Sequence, residues 1–358
     1  MLPPNSRLVL VSGYAPADGP GIQAFRFDMM TGTLTPLGAL PGIRNPSFLA
    51  LHSDGRWLYA TSETSEAAER AGGGVAAAAV AHEPWAARWL NRQDTRGDHP
   101  CHLALDPTGR WLVVSNYTSG SVAVFPVGVD GSLGAMSGFV QHAGHSINPQ
   151  RQEGPHAHSA TFAPNSPFVI VADLGLDALV VYRFDNAAGT LTEVGRGAAR
   201  PGAGPRHVAW HPTGRALYVG NELDNTVATY DFDPQTGALR ERQVVRSVPP
   251  NAPESYIAHI QVGPDGRCVY VSNRGHDSLA VFAIDGTGEL TRLAIVSCGG
   301  KWPRHFGVSP DGRWALVANQ HSDEVVVLPL DGDGVPGERV GGATAPGAAC
   351  VQFWEGVA

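Results

Sequence analysis

The sequence has few charged residues, and it has no long apolar segment. Charged residues make up 16% of the 358 residues, and the formal net charge is −8. This balance does not favour binding to nucleic acid or to an anionic membrane surface. Because no run of about eighteen apolar residues occurs, no membrane span is predicted. A small anionic substrate stays compatible with this composition.

The sequence also has few cysteines. Its four cysteines are far apart and form no Cys-x-x-Cys pair (Cys101, Cys268, Cys298 and Cys350). This spacing predicts buried, reduced thiols rather than a disulfide framework. Residues 1–7 lack a charged leader followed by an apolar stretch, so no secretion signal is predicted. These features together predict a soluble cytoplasmic protein.

Several motifs that carry catalytic chemistry are missing. We find no Gly-x-Ser-x-Gly nucleophile elbow, no phosphate-binding Gly-x-x-x-x-Gly-Lys-Ser/Thr loop, no His-Glu-x-x-His zinc motif and no Gly-x-Gly-x-x-Gly that opens a helix. Each of these patterns places a nucleophile, a phosphate cradle or a metal in a defined local structure. The sequence therefore predicts neither a cofactor nor a bound metal.

Glycine (44) and proline (28) are, in contrast, abundant, and many of them belong to a repeated phrase. A turn of the form Pro-x-Gly-Arg, followed by a hydrophobic strand that ends on a polar residue, occurs six times with small variations. The spacing of the copies is about fifty residues, which is typical of a repeat architecture. The copies begin at Ser53, Pro107, Pro164, Pro212, Pro264 and Pro310.

Each copy divides into four short β segments. In one of them the segments are His207–Trp210, Ala216–Gly220, Thr226–Phe232 and a fourth that begins near Leu239. Four-stranded antiparallel units repeated around an axis predict an all-β propeller. The Trp-Asp ending of scaffold propellers is absent.

The two termini complete the ring. The amino terminus begins at a second strand, Leu8–Val11, whereas the carboxyl terminus supplies an orphan first strand, Ala348–Phe353. Pairing these strands would close the ring and remove both free edges. We therefore predict one domain, residues 1–358, that forms a seven-bladed β-propeller with four antiparallel strands per blade. Because a closed ring has no free edge, we expect a monomer.

Two segments depart from the repeat. Residues 141–156 form a polar insertion before the first strand of blade 4. Such loops on repeat proteins often carry binding residues. Residues 67–81 are rich in alanine and glycine, but they lie where blade 2 needs its third strand, so we predict a strand there.

Aligning the copies shows which positions differ between blades. At the start of the first strands, charged residues replace small ones at Arg206 and Arg304, and after the second strands they appear at Glu63, Glu222 and Arg274. The first-strand ends of a propeller face its central channel, where charges are rarely enclosed unless they are paired or used. An Arg–Glu network that joins blades is one interpretation. We favour the other, an anion-binding pocket with a carboxylate.

Histidine occupies the next position in four blades, at His102, His207, His259 and His305. A residue repeated in this way indicates a packing role. His156 and His158 differ, because they belong to a single Gly-Pro-His-Ala-His segment after the insertion. With His142 and His145 nearby they could bind a metal. Proton transfer near neutral pH fits them better.

These motifs resemble, in order and over about Leu8–Phe353, the seven-bladed propeller lactonase family of bacterial 6-phosphogluconolactonases and fungal carboxy-muconate cyclases. The segments that carry the resemblance are Asn116–Ser121, Gly154–His158, Ala172–Asp177, Gly204–His207, Asn221–Leu223, Val271–Gly275, Pro303–Phe306 and Ala318–Gln320. The resemblance implies that water opens a small anionic lactone ring, most simply 6-phosphogluconolactone. The matching catalytic positions are His156 or His158, Arg206, Glu222 and Arg274.

On this interpretation each residue has an expected role. Glu222 would activate water, His156 or His158 would protonate the leaving oxygen, and Arg206 and Arg274 would polarise the carbonyl or grip the substrate. The predicted substrate-binding residues are Arg304, which would contact a phosphate, and His207, His305, Glu63 and Tyr117. Three alternatives stay open: an unphosphorylated or muconate-type lactone, a metal-dependent lactonase, and a non-catalytic propeller that binds a partner protein.

Overall fold

The computed structural model describes residues 5–65, 73–82 and 85–354. Within these residues the chain forms seven four-stranded antiparallel sheets, arranged as the blades of a propeller. One short 3₁₀ turn, Gln320–Ser322, interrupts this all-β architecture. No helix in the described part of the chain is long and apolar enough to cross a membrane. The predicted fold class is confirmed.

Each blade has four strands, which follow one another from the channel outward. Blades 1 to 4 comprise β28 (Ala348–Trp354), β1 (Ser6–Gly13), β2 (Ile22–Asp28), β3 (Thr33–Leu40); β4 (Leu49–Leu51), β5 (Trp57–Ser62), β6 (Gly74–His82), β7 (Trp85–Asp94); β8 (Pro100–Leu105), β9 (Trp111–Asn116), β10 (Ser121–Pro126), β11 (Gly138–Gln141); β12 (Ala157–Phe162), β13 (Phe168–Asp173), β14 (Ala178–Asp185), β15 (Thr190–Ala198). Blades 5 to 7 comprise β16 (Pro205–Trp210), β17 (Ala216–Asn221), β18 (Thr226–Phe232), β19 (Leu239–Arg246); β20 (Tyr256–Val262), β21 (Cys268–Arg274), β22 (Ser278–Ile284), β23 (Leu290–Ser297); β24 (Pro303–Val308), β25 (Trp314–Asn319), β26 (Glu324–Pro329), β27 (Gly341–Thr344).

The ring closes through the two ends of the chain, as predicted. The carboxyl-terminal β28 pairs antiparallel with β1, with Val9 opposite Phe353 and Val11 opposite Val351. Blade 1 therefore consists of one carboxyl-terminal and three amino-terminal strands. This pairing covers an edge that would otherwise expose unpaired backbone groups.

The predicted third strand of blade 2 is also present. It covers Gly74–His82 and pairs with β5 through a run of alanines, for example Ala76 opposite Ala60. Residues 67–72 of the predicted segment lie outside the described residues. The local preference of alanine for helix yields here to the ladder hydrogen bonds and burial that neighbouring strands provide.

Five of the six repeated turns share a left-handed glycine at their third position. The glycines of the five glycine-bearing copies have φ between 68° and 75°, a region that residues with a side chain rarely adopt. In the copy that lacks glycine, the left-handed residue lies one position earlier, at Asn165 with φ 53°, because asparagine tolerates this region better than most residues. The phrase therefore fixes the reversal between the first and second strands of each blade.

The blades are held together by apolar side chains between the sheets. Second strands such as β13 and β17 are buried along their whole length, whereas outer strands such as β15 are largely exposed. Close-packed sheets of this kind resist deformation. They therefore hold the channel-lining ends of the first and second strands in fixed positions.

Candidate active site

The charged residues that vary between blades meet at one end of the channel. Arg206 lies near the start of β16, and Glu222 directly follows β17, which pairs antiparallel with β16. Arg274 ends β21 in the next blade, and Arg304 lies near the start of β24. Since first strands begin and second strands end at the same edge of a blade, these side chains converge. We call this the upper end of the channel.

Glu222 is the centre of this arrangement. Its Oε2 accepts hydrogen bonds from Arg206 Nε at 3.0 Å and lies 2.9 Å from Arg274 Nη2. Its Oε1 accepts from Arg151 Nη2 at 2.6 Å. His158 Nε2 lies 3.9 Å from Oε2. The carboxylate is buried, so a single carboxylate pairs three guanidinium groups.

The electrostatics of the cluster follow from burial and pairing. Burial alone would raise the pKa of Glu222, but Arg274, Arg206 and Arg151 together hold it well below its usual value. Burial, assisted by Arg274, lowers the pKa of Arg206 to about 9. Near neutral pH the pair therefore stays ionised. The carboxylate is a stable anion with low proton affinity while all three arginines contact it.

A second carboxylate lies beside the first cluster. Tyr14 donates its hydroxyl hydrogen to Glu63 Oε2 at 2.8 Å and accepts a hydrogen bond from Arg304 Nη2. Arg304 Nη2 lies 4.0 Å from Glu63 Oε1. Arg206 and Arg304 both line a void of about 10 Å³ here, together with Glu63 and Cys101. This volume suits one water molecule and not a sugar.

His156 and His158 occupy different environments. The ring of His156 stacks on Tyr117 with centroids 4.6 Å apart, and its Nδ1 donates to the Tyr117 carbonyl at 3.0 Å. Its Nε2 faces Glu153 Oε1 at 3.5 Å. His158 is enclosed between Cys101 and Glu222, and burial followed by Arg206 holds its pKa well below the usual value. His158 is thus neutral near pH 7.

The repeated histidines form a layer directly below the charged residues. His259 and His305 stack with centroids 3.8 Å apart, and His207 Nδ1 lies 2.9 Å from His259 Nδ1. His102 packs against Phe48 at 4.2 Å. We call these five residues the histidine layer. Burial lowers the pKa of all four histidines, to about 3 for His102 and His305.

A cavity of about 700 Å³ lies below the histidine layer. It is far larger than the void at the upper end, although Glu222 does not line it. Phe48, His102, His259 and His305 of the histidine layer line it. Its other walls include Trp210, Gln261 and Trp354 and, among the described residues, no carboxylate or guanidinium. This lower cavity therefore offers neither a carboxylate base nor a cation for an oxyanion.

The four histidines considered for metal binding do not converge. Both ring nitrogens of buried His142 are engaged, by Asp173 Oδ2 at 2.6 Å and by the Tyr182 hydroxyl at 2.7 Å. His145 is exposed. Within the part of the chain that the structure describes, no group of three or more His, Cys, Asp or Glu side chains could hold a metal ion.

Of the predicted catalytic residues, the structure brings Glu222, Arg206, Arg274 and His158 together, whereas His156 contacts Tyr117 and Glu153. The predicted substrate-binding residues are distributed around this cluster. Tyr117 lies at the mouth and accepts a hydrogen bond from Arg151 at 3.2 Å. His207 and His305 lie in the histidine layer, on the far side of Arg206. Arg304 and Glu63 pair with each other through Tyr14 rather than with Glu222. The roles assigned to these residues stay predictions.

Sequence reasoning missed Arg151. It lies in the 141–156 insertion, which has no counterpart in the other blades, so no column of aligned copies contains it. The available signal was a single arginine in a polar loop directly before the first strand of blade 4. Its contact with Glu222, from a different blade, follows only from the path of the loop.

Fold and site together define a lactonase-type propeller, and the chain belongs to the family described as "Lactonase, 7-bladed beta-propeller", whose model matches residues 8–353. The chain is 38% identical to a 6-phosphogluconolactonase of Bacillus subtilis over 296 residues, 82% of each chain. It is 31% identical to a 6-phosphogluconolactonase of Formosa agariphila, covering 80% of this chain and 81% of the relative.

One solved structure with a similar fold is named for an unphosphorylated lactone. The periplasmic gluconolactonase of Pseudomonas aeruginosa superposes with a TM-score of 0.91 at 30% identity, covering 97% of this chain and 99% of that one. The predicted family is therefore confirmed. The names of these relatives differ in one respect, however. Two name a phosphorylated lactone, whereas the third names gluconolactone without a phosphate.

Proposed function

We propose that this protein hydrolyses a small anionic lactone, in the first place 6-phosphogluconolactone to 6-phosphogluconate, at the upper end of the channel. The observation that supports this most is the excess of positive charge there. Four guanidinium groups, those of Arg151, Arg206, Arg274 and Arg304, share the two carboxylates of Glu222 and Glu63. In a chain of net charge −8, such a local excess favours an anionic ligand.

In the proposed reaction, water attacks the lactone carbonyl carbon and gives a proton to Glu222. Arg206 and Arg274, fixed by the blades, stabilise the oxyanion that forms on the carbonyl oxygen. The carbon–oxygen bond of the ring then breaks, and the leaving oxygen takes a proton from His156. Glu222 and His156 afterwards exchange protons with solvent, so lactone and water become the hydroxy acid.

His156 suits proton delivery better than His158. Its Nδ1 hydrogen is committed to the Tyr117 carbonyl, which leaves Nε2, at 3.5 Å from Glu153 Oε1, as the nitrogen that can transfer a proton. His158, in contrast, is buried beside Arg206 and is held neutral. We assign His158 the role of a neutral neighbour that confines Glu222.

The direct test uses freshly prepared 6-phosphogluconolactone. Acid release is followed with a pH indicator and corrected for spontaneous ring opening. We expect acceleration by the native protein and a much smaller acceleration by its Glu222→Gln variant. Equal rates with the native protein and the variant would contradict the proposal.

An unphosphorylated sugar lactone is the second candidate, because the Pseudomonas relative is named a gluconolactonase. Comparing kcat/KM for glucono-1,5-lactone, a muconate-type lactone and the phosphorylated lactone separates these substrates. A partner-binding propeller has less support, since the large exposed apolar side chains of the described residues are spread over several blades, from Met30 in blade 1 to Val340 in blade 7. The cytoplasmic location and the monomeric state stay predictions.

A further inference from the structure

Arg151 is held by a loop that is anchored on both sides. Gln152 donates from Nε2 to the Leu174 carbonyl at 2.9 Å and accepts from the Asn148 backbone at 3.1 Å. Ser146 donates to Asp177 Oδ2 at 2.6 Å. The backbone of the loop is therefore fixed to blade 4, and the side chain of Arg151 is left to reach across the mouth of the channel.

Arg151 differs from the other two partners of Glu222 in its exposure. Its side chain is 35% exposed, whereas those of Arg206 and Arg274 are 3% and 7% exposed. Arg206 and Arg274 both bind Oε2 of Glu222. Arg206 also donates to the Ala258 carbonyl, and Arg274 donates to the Ile257 carbonyl. Arg151 alone among the three therefore has both contact with the carboxylate and access to solvent.

Arg151 contacts the Glu222 oxygen that would accept a proton in the proposed reaction. With Oε2 taken by Arg206 and Arg274, Oε1 is the oxygen of Glu222 that can accept a proton from water, and Arg151 covers it at 2.6 Å. The Glu222 side chain itself is only 5% exposed. A lactone can therefore reach Glu222 only if a side chain at the mouth moves.

A phosphate group would move Arg151 in the required direction. A guanidinium binds a phosphate dianion through paired hydrogen bonds. Arg151 is 35% exposed, lies 5.8 Å from the centre of the Tyr256 ring and donates to the Tyr117 hydroxyl. Arg206 and Arg274 would still hold Glu222 after Arg151 leaves. A neutral sugar lactone offers no comparable competitor for the carboxylate.

We propose that Arg151 caps Glu222 Oε1 in the free protein and that the phosphate of the substrate draws it away, so that the base becomes available only when a phosphorylated lactone is bound. This inference rests on the proposed lactonase function. It makes Arg151 a specificity-determining residue that acts on kcat as well as on KM, because the phosphate interaction is used to assemble the reactive site.

The test compares Arg151→Ala with the native protein on two substrates. For the phosphorylated lactone, kcat/KM should fall by about 10²-fold, since a charge-assisted contact is lost. For glucono-1,5-lactone it should rise by about tenfold, because one hydrogen bond to the ionised base no longer opposes proton transfer. Arg196→Ala, which removes an exposed arginine paired with Glu193 away from the channel, is the matched control and should change neither value.

A second arm supplies the anion separately. Inorganic phosphite added to the native protein should accelerate hydrolysis of glucono-1,5-lactone, and it should not do so in Arg151→Ala. An equal loss on both substrates in Arg151→Ala, or activation by phosphite in that variant, would overturn the inference.

The outcomes also separate this inference from the proposed function. If the native protein hydrolyses neither lactone, the proposed function fails. Thermal stabilisation by 6-phosphogluconate then still tests Arg151: a shift in the native protein that Arg151→Ala loses would support anion binding by Arg151, and an equal shift in both would overturn it.

Discussion

Two adjacent layers of the channel contain buried titratable groups, which are ionised in one layer and neutral in the other. At the upper end, Arg206, Arg274 and Glu222 keep their charges because each has an oppositely charged partner within hydrogen-bond distance. One residue further along the first strands, the histidine layer is buried with no carboxylate partner among the residues that the structure describes, and it is neutral instead. The difference shows that pairing with an opposite charge decides which of these buried groups stay ionised.

Arg206 connects the two layers. Its Nη1 donates to His207 Nε2 at 3.1 Å, which places the His207 hydrogen on Nδ1 and directs it at His259 Nδ1, 2.9 Å away. The neutral layer therefore orients the arginine from below, while Glu222 binds it from the side. The positive charge of Arg206 in turn disfavours protonation of the histidines.

The largest expected effect comes from removing the negative charge of Glu222, which pairs with Arg206 and Arg274. Glu222→Gln should lower kcat by about 10³-fold, because the proposed base is lost. It should also lower the free energy of unfolding by about 3 kcal/mol, since Arg206 and Arg274 are left buried and unpaired. Steady-state kinetics and urea unfolding measure both.

The matched control for this variant is Glu193→Gln, which breaks an exposed pair with Arg196. It should change stability by less than about 1 kcal/mol and leave activity intact. If Glu222→Gln retained native activity, the upper layer would be a structural network only.

The next effect concerns the neutrality of the histidine layer. Burial, then Arg206, lowers the pKa of His102 and His305 from 6.5 to about 3. The unfolded chain thus binds more protons than the folded chain between these values, so stability is complete above pH 6.5 and is lost as the pH falls towards 3. Urea unfolding at pH 7.5 and pH 5 should show at least about a tenfold fall in the folded-to-unfolded ratio.

His305→Phe sharpens this prediction, because it removes one of the groups that must be neutral. Its pH dependence between 7.5 and 5 should be shallower than that of the native protein. His145→Ala, at an exposed position, should leave the dependence unchanged. If the native protein were equally stable at both pH values, burial would not be what keeps the histidine layer neutral.

A smaller effect is expected in the second carboxylate cluster. Tyr14→Phe removes the hydroxyl that joins Glu63 to Arg304. We expect a loss of about 1 kcal/mol in stability and a fall in kcat/KM of less than about tenfold, because Glu222 and its partners stay in place. A fall comparable with that of Glu222→Gln would instead make the second cluster part of the reacting centre.

The smallest effect is expected from metal removal. Because both nitrogens of His142 are engaged by Asp173 and Tyr182, incubation with a chelator should leave lactone hydrolysis unchanged. Loss of activity that a divalent cation restores would favour the metal-dependent alternative.

Much of the fold could be predicted from the sequence because the information is repeated. Each copy of the turn phrase gives the same strand boundaries, and the orphan strand at Ala348–Phe353 has one natural partner in blade 1. The convergence of Glu222, Arg206 and Arg274 followed from the same register. These residues lie inside the repeat, where position in the copy determines position around the channel.

The rest could not be predicted because it depends on contacts outside the repeat. Arg151 lies in an insertion whose path no aligned copy constrains, and its side chain reaches Glu222 of the next blade. Arg304 is in blade 7, Tyr14 in blade 1 and Glu63 in blade 2. Their pairing therefore depends on how these blades lie next to one another where the ring closes. The sequence likewise did not reveal that Arg206 bonds to His207 and thereby links the charged and neutral layers.

The most direct test of the account is a crystal structure of the protein with 6-phosphogluconate. We expect the product at the upper end, with its carboxylate within hydrogen-bond distance of Arg206 or Arg274 and its phosphate bound by Arg151, which has left Glu222. Product bound instead in the lower cavity, beneath an intact histidine layer and with the Arg151–Glu222 pair unbroken, would contradict it.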